Sequence, residues 1–176
     1  MTKYNNIFSF SYRFSTSCFF FILLFLLINF EKALGFFAVF NSSTPSLVSI
    51  AIYLSIRKLN LTPSNMIMLI LGILNDIIAS VNLGVSSIFF LLIKLLTENL
   101  SSLNLDNNSQ QSWFSFTIIF SLSIFAIVLI NIVINLSIPD INPLLFHIGT
   151  TLILFPIINL AIDLIFFISK LIKTNP

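Results

Sequence analysis

Residues 66–96, MIMLILGILNDIIASVNLGVSSIFFLLIKLL, decide the fold of this chain. The stretch is a mainly apolar run that is broken by one acid, Asp76, and by a short polar patch at residues 80–82. It also contains two of the four glycines of the chain, Gly72 and Gly84. A carboxylate inside such an apolar run is costly to bury, so Asp76 needs either a partner or a place near water.

The length of this run favours two helices rather than one. A single helix over the whole run would extend about 46 Å, whereas the hydrocarbon core of a membrane is about 30 Å thick. Pro63 provides a natural helix start just before the run, because proline is accommodated in the first helical turn. We therefore predict two membrane helices, residues 63–79 and 83–100, joined by a tight turn close to Asp76.

The composition indicates an integral membrane protein. Of the 176 residues, 57% are hydrophobic and only 8% are charged, and the mean hydropathy is +1.07. Soluble domains carry about 25% charged residues. The net charge of +2 is too small and too scattered to indicate nucleic-acid binding. The single cysteine, Cys18, excludes an internal disulfide and a multi-cysteine metal site, and is expected to be a small apolar residue of the first helix.

We predict an all-α, polytopic membrane protein with one membrane domain over residues 1–176. Its six transmembrane helices are expected at residues 14–30, 45–61, 63–79, 83–100, 113–138 and 144–169. The first is either a retained helix or a signal peptide cleaved near residues 33–35, and the charged pair Glu31 and Lys32 favours a retained helix. Residues 33–40 are too few to span, so we expect them to lie at the interface or to re-enter the membrane.

Charge placement predicts that both termini are cytoplasmic. With six helices in that orientation, most basic residues fall on the inner face, as the positive-inside rule requires. These residues are Lys3, Arg13, Arg57, Lys58, Lys170 and Lys173. Lys94 can reach the same face with its long stem, and only Lys32 remains outside. The turn after Asp76 then lies outside, and the hydrophilic loop at residues 98–112 lies inside.

Three roles are open for Asp76. It could lie near the outer interface or accept hydrogen bonds from the hairpin backbone, it could hold a partner or a neighbouring helix, or it could take part in ion or proton transport. In an antiparallel hairpin it is level with Ser86 and Ser87, and we expect their hydroxyls to be its partners.

Other polar residues of the predicted helices have structural interpretations. We expect Asp163 to pair with another helix or to reach the inner surface, and His147 to be an interfacial polar residue without metal-binding companions. Asn131 and Asn135 are one helical turn apart, so they share a face and can bond to a neighbouring helix.

The sequence favours a protein that is not an enzyme and that needs no metal or cofactor. It contains no GxSxG, HExxH, GxGxxG or Walker-type motif, and no serine or cysteine stands in a recognisable pattern with His147.

The hairpin resembles the signature of the rod shape-determining protein MreD family. The resemblance is carried by Gly72-Ile73-Leu74-Asn75-Asp76 and by Asn82-Leu83-Gly84, where a glycine and an aspartate precede a short turn and a Leu-Gly pair opens the next helix. The last predicted helix is similar too, with Phe155-Pro156 inside it. The structural or partner-binding motif carried over from the family is Gly72, Asp76, Leu83 and Gly84.

The resemblance implies a multi-pass scaffold subunit in the bacterial inner (plasma) membrane, without catalytic activity. Such a subunit would regulate cell shape by joining an MreC-like membrane-anchored partner to the other proteins of the elongation complex that directs peptidoglycan synthesis. We expect Gly72 and Gly84 to allow close helix approach and Asp76 to hold the hairpin or a partner.

The alternative is the substrate-binding membrane subunit of an energy-coupling-factor-type vitamin transporter. That function predicts an outward polar pocket with converging side chains, and small residues on the first helix to dock the coupling subunit. Residues 18–30, CFFFILLFLLINF, contain no glycine or alanine, which disfavours the alternative.

Overall fold

The computed structural model describes residues 2–37, 44–59, 61–101, 109–136 and 140–174, and within these ranges it contains helices and no strand. The described ranges contain six helices in chain order: α1 (Thr2–Leu34), α2 (Leu47–Leu59), α3 (Asn65–Ala79), α4 (Val85–Ser101), α5 (Ser109–Asn135) and α6 (Ile141–Thr174). The predicted all-α class and the predicted number of helices are therefore confirmed.

The two ends of α1 differ from the predicted bounds. The helix begins at Thr2 rather than at residue 14, and Ala33 and Leu34 complete its last turn. The chain then turns at residues 35–37, and the rest of the apolar patch at residues 33–40 lies outside the described residues. Residues 33–37 of that patch are therefore placed, and only the first two of them are helical.

The last two helices begin earlier than predicted. Helix α5 starts at Ser109, inside the predicted hydrophilic loop, and α6 starts at Ile141, inside the predicted turn. Polar residues are well tolerated in a first helical turn, whose N–H groups need no partner within the helix. For the same reason Pro143 can lie in the first turn of α6, since its missing N–H breaks no bond there.

Pro156 lies inside α6, and the helix continues through it. Proline has no N–H, so the carbonyl of Leu152, one turn earlier, loses its partner within the helix. The indole Nε1 of Trp113 on α5 donates to that oxygen at 3.2 Å. A side chain from the neighbouring helix thus satisfies the carbonyl that the proline leaves unpaired.

Helix lengths separate α5 and α6 from α2, α3 and α4. The segments Gln111–Ile134 and Ile141–Leu164, each 24 residues, are long and apolar enough to cross a membrane. Helices α2, α3 and α4 have 13, 15 and 17 residues, or about 20–26 Å, which is shorter than a hydrocarbon core of about 30 Å. These helix lengths therefore do not confirm the expectation of six full-length membrane spans.

Helix α2 forms the centre of the molecule, because it packs against α1, α4, α5 and α6. Its Tyr53 is fully buried, and the ring meets Phe116 and Phe155 edge-on, with centroids 5.3 and 5.6 Å away. Those two phenyl rings stack on each other at 4.4 Å. The Tyr53 hydroxyl donates to the carbonyl of Ser112 at 2.9 Å, so the tyrosine ties α2 to the first turn of α5.

The surface of the described residues is strongly apolar, while many polar side chains are buried. Exposed side chains include Phe19, Leu26, Ile70, Phe125 and Leu160. Buried polar side chains include Ser49, Asp76, Thr97, Ser123 and Thr151. Three of the buried hydroxyl groups donate a hydrogen bond to the backbone carbonyl one turn earlier in the same helix, for example Ser123 to Ile119 at 2.8 Å.

Polar contacts among the described residues lie at two opposite ends of the helices. One end carries Thr44, Asp76 and His147, and we call it the Asp76 end. The other carries Lys58, whose Nζ is 2.5 Å from the Asp163 carboxylate, and Lys94, which bonds to Asn65; we call it the Lys58 end.

Candidate functional site

The Asp76 carboxylate caps the first turn of the following helix. The residue is fully buried, and its Oδ2 accepts the N–H of Gly84 at 2.7 Å. The N–H of Ser86 lies 3.1 Å from Oδ1 and 3.3 Å from Oδ2. These N–H groups belong to the N-terminus of α4, where the helix dipole and the unpaired donors favour a negative charge. Asp76 thus holds the two helices of the hairpin together across their turn.

The end of α3 brings Asp76 next to this turn. Ser80 adopts the left-handed conformation, with φ 53° and ψ 39°, and its N–H donates to the carbonyl of Ile77. The N–H of Val81 donates to the carbonyl of Asp76 itself at 3.1 Å. This pair of bonds is a Schellman motif, which ends the helix and reverses the chain. The backbone of Asp76 therefore ends α3 while its side chain starts α4.

Gly72 is the point of closest approach between α3 and α4. A Cβ atom built on Gly72 would lie 2.3 Å from Cα and 2.4 Å from N of Ser87, which are backbone atoms of α4. The Ser87 hydroxyl donates to the carbonyl of Leu69 at 2.9 Å, which fixes the crossing. The close approach expected at Gly72 is present in the structure.

Gly84 has a different role from the one expected. A Cβ atom there would meet nothing within 4 Å, so no helix approaches this residue closely. Its φ of +96° is instead a conformation that residues with a side chain rarely adopt. The expectation of close packing at Gly84 is therefore wrong, and the turn requires glycine for backbone conformation.

The serines level with Asp76 were correctly located, but the expected hydroxyl contacts are wrong. Asp76 binds the backbone N–H of Ser86, whereas the Ser86 hydroxyl accepts from Asn75 Nδ2 at 2.8 Å. The Ser87 hydroxyl bonds elsewhere, to Leu69. Backbone donors prevail because the first N–H groups of a helix have no other partner. Leu83, the fourth residue of the motif, is 69% exposed at the tip of the turn.

Two other polar residues singled out in the sequence are joined to neighbouring elements. Asp163 on α6 pairs with Lys58 on α2, which is the helix-paired state expected for this acid. His147 Nδ1 lies 2.5 Å from the carbonyl of Thr44 and must donate to it, since a carbonyl oxygen only accepts. The Asn131 side chain is half-buried, and that of Asn135 lies outside the described residues.

One structural acid was missed by sequence reasoning. The Glu31 Oε1, near the end of α1, accepts the N–H of Val48 in the first turn of α2 at 2.6 Å. Burial raises the pKa of Glu31 to about 7. In the sequence Glu31 is only an acid beside an apolar run. No neighbouring residue indicates that it caps α2, which begins after the next loop. A second side chain from another helix binds the backbone just before α2: the Thr151 hydroxyl on α6 accepts the N–H of Ser46 at 3.0 Å.

A cavity of about 460 Å³ lies beside the hairpin, between α4, α5 and the start of α6. Its walls are mainly apolar, and four polar side chains reach it: Ser86, Asn131, Asp140 and His147. In the described part of the chain, no three histidine, cysteine, aspartate or glutamate side chains come close enough to hold a metal ion. The cavity therefore offers hydrogen-bonding groups rather than a cluster of metal ligands.

Comparisons with known proteins give no relative: no family model matches the sequence, and no curated protein or solved structure matches it significantly.

Proposed function

We propose that this chain is a multi-pass membrane scaffold of the MreD type, which acts in cell elongation without catalysing a reaction. The observation that carries the proposal is the arrangement around Asp76. Both carboxylate oxygens are used to hold the start of α4, and the residue is fully buried. An acid bonded in this way supports a rigid hairpin, which is what a scaffold requires.

The distribution of apolar and polar side chains supports insertion into a bilayer. Apolar residues of α1, α3, α5 and α6 cover the outside, and a surface of this kind would cause a soluble protein to aggregate. Helices α5 and α6 are long enough to cross the membrane. The shorter helices α2 to α4 can be accommodated by polar flanks and by local thinning of the bilayer. Six crossings in the inner membrane are the proposed arrangement.

The proposed orientation places the Asp76 end outside and the Lys58 end in the cytoplasm. Arg57 and Lys58 at the end of α2 then meet the cytoplasmic surface, in agreement with the positive-inside rule. We expect alkaline phosphatase inserted after Asn82 to be active and green fluorescent protein inserted after Asn107 to fluoresce, since each reporter works on only one side of the membrane. Active phosphatase at Asn107 together with an inactive one at Asn82 would reverse the orientation.

The proposed partner is an MreC-like membrane-anchored protein that contacts the exposed turn. Asp76 is buried and cannot touch a partner directly, whereas Leu83 is exposed at the turn. We expect Leu83→Ser to lower the recovery of the co-expressed MreC-like protein from the same genome at least threefold, without changing the melting temperature. Buried apolar contacts at interface centres have effects of this size or larger.

The matched control is Val81→Ser, which makes the same kind of change two residues away at a position that is 52% exposed. Recovery should then stay close to that of the unchanged protein. If the unchanged protein recovers no MreC-like partner, or if Leu83→Ser leaves both recovery and cell shape unaltered, the scaffold function or the turn as its contact surface is wrong.

The second candidate function, the substrate-binding subunit of a vitamin transporter, is favoured by one observation. The cavity of about 460 Å³ is at the Asp76 end and brings together polar side chains from α4, α5, α6 and the residue before α6. The transporter function predicts such an outward pocket. Saturable vitamin uptake by cells that express the chain would favour this function over the scaffold.

A further inference from the structure

We infer that the cavity between α4, α5 and α6 binds a small amphipathic molecule with a cationic group, such as a protonated aromatic amine. This inference does not depend on the scaffold function, because it follows from the lining of the cavity alone. At about 460 Å³ the cavity has the size of a small-molecule site. Apolar walls with a few polar groups are also typical of such sites.

Two polar side chains of the lining bond to no other described residue. Neither Asn131 nor Asp140 forms a hydrogen bond or an ion pair with any other described residue, although both line the cavity. The other two are already engaged: the Ser86 hydroxyl accepts from Asn75, and His147 Nδ1 donates to Thr44. Asp140 is exposed and Asn131 is half-buried, so both groups remain available to a ligand that enters the cavity from solvent.

The available groups of the cavity are mainly acceptors. Asp140 contributes a carboxylate, Asn131 an amide oxygen, and the neutral His147 ring retains Nε2 as its only nitrogen able to bond a ligand. Asp140 is the only side chain of the lining that carries a formal charge at pH 7 with neutral histidine. A cation that donates hydrogen bonds is therefore complementary to this cavity, whereas an anion is not.

The opposite wall suits the apolar part of such a molecule. Phe89 on α4 and Ile124 and Val128 on α5 line the cavity together with Leu144 on α6. An aromatic ring placed among these side chains would be removed from water, which favours its binding. The cavity also borders Ser86, whose N–H is held by Asp76, so the hairpin positions one wall of the site.

The lone cysteine of the chain allows the site to be tested with charged thiol reagents. In the full-length protein with Cys18→Ser, a cysteine is introduced by Val128→Cys, and its modification by cationic 2-aminoethyl methanethiosulfonate is compared with that by anionic 2-sulfonatoethyl methanethiosulfonate. We expect the cationic reagent to react about tenfold faster, after correction for the reactivity of a free thiol, because of the nearby carboxylate. Asp140→Asn should remove this preference, and Asp163→Asn, at the Lys58 end, should preserve it.

Ligand binding is tested by protection of the same introduced cysteine. We expect tryptamine to slow its modification at least threefold and indole-3-propionate, which has a similar ring and the opposite charge, to leave the rate unchanged. Asn131→Leu should weaken the protection by tryptamine. An unreactive thiol in the Val128→Cys protein, equal rates for the two reagents, a preference that survives Asp140→Asn, or equal protection by the two indoles would each overturn the inference.

Discussion

Gly72→Ala is expected to lower the melting temperature of the detergent-solubilised protein by about 6–12 °C. The added Cβ would lie 2.3 Å from the backbone Cα of Ser87, which is far closer than atoms can approach. Because the obstacle is backbone rather than the end of a flexible side chain, α3 and α4 would have to separate. Overpacking of this kind costs about 3 kcal/mol, and each kcal/mol corresponds to about 2–4 °C in a protein of this size.

The chain provides a matched control for this substitution. Gly149 lies inside α6, and a Cβ there would meet nothing within 4 Å. Gly149→Ala should therefore leave the melting temperature unchanged or raise it slightly, since alanine stabilises a helix relative to glycine by about 0.5–1 kcal/mol. Both variants can be measured by the thermal loss of helical circular dichroism. Equal melting temperatures for the two variants would contradict the close crossing of α3 and α4.

Asp76→Ala is expected to destabilise the hairpin by about 2–4 kcal/mol. The substitution removes the cap of α4 and leaves the N–H groups of Gly84 and Ser86 without an acceptor. Gly84 and Ser86 are half-buried, so each of these two donors costs about 1–2 kcal/mol when it loses its partner, the lower part of the range for buried groups. Asp76→Asn should be destabilised less than Asp76→Ala, because the amide keeps one acceptor oxygen but turns an NH₂ group toward a backbone donor.

Asp163→Ala is the control for the loss of an acid. Asp163 is paired with Lys58, but its side chain is 54% exposed, so the pair contributes only about 0–1 kcal/mol. Unfolding in detergent followed by circular dichroism should rank the variants, from least to most stable, as Asp76→Ala, Asp76→Asn and Asp163→Ala. An Asp76→Ala protein as stable as the Asp163→Ala protein would show that the carboxylate is not the clamp of the hairpin.

The residues of this one sequence motif have different structural roles. Gly72 allows α3 and α4 to cross, Gly84 allows the turn its positive φ, and Asp76 joins the turn to both helices. Leu83 takes part in none of these contacts and is exposed. The motif thus combines three residues that build the hairpin with one that is available to a partner.

Several features of the fold could be predicted because they depend on local patterns. An apolar run too long for one helix, with polar residues at its middle, indicates a hairpin. Pro63 marks the start of its first helix to within two residues, and residues 80–84 form its turn. The position of Asp76 next to the turn follows from that hairpin. The identity of the groups that bind it does not, because hydroxyls and backbone N–H groups at similar depth are both within reach of a carboxylate.

For the part of the chain that the structure describes, the sequence by itself determined the all-helical class, the six helices and the hairpin of α3 and α4, since these depend on hydropathy and spacing within short segments. Only the tertiary structure decided that Glu31 caps α2, that Trp113 satisfies the carbonyl left unpaired by Pro156, and that Asn131 and Asp140 line one cavity. Each of these contacts joins elements that are separated along the chain. Their partners are selected by how the helices pack, and no local pattern in the sequence records that packing.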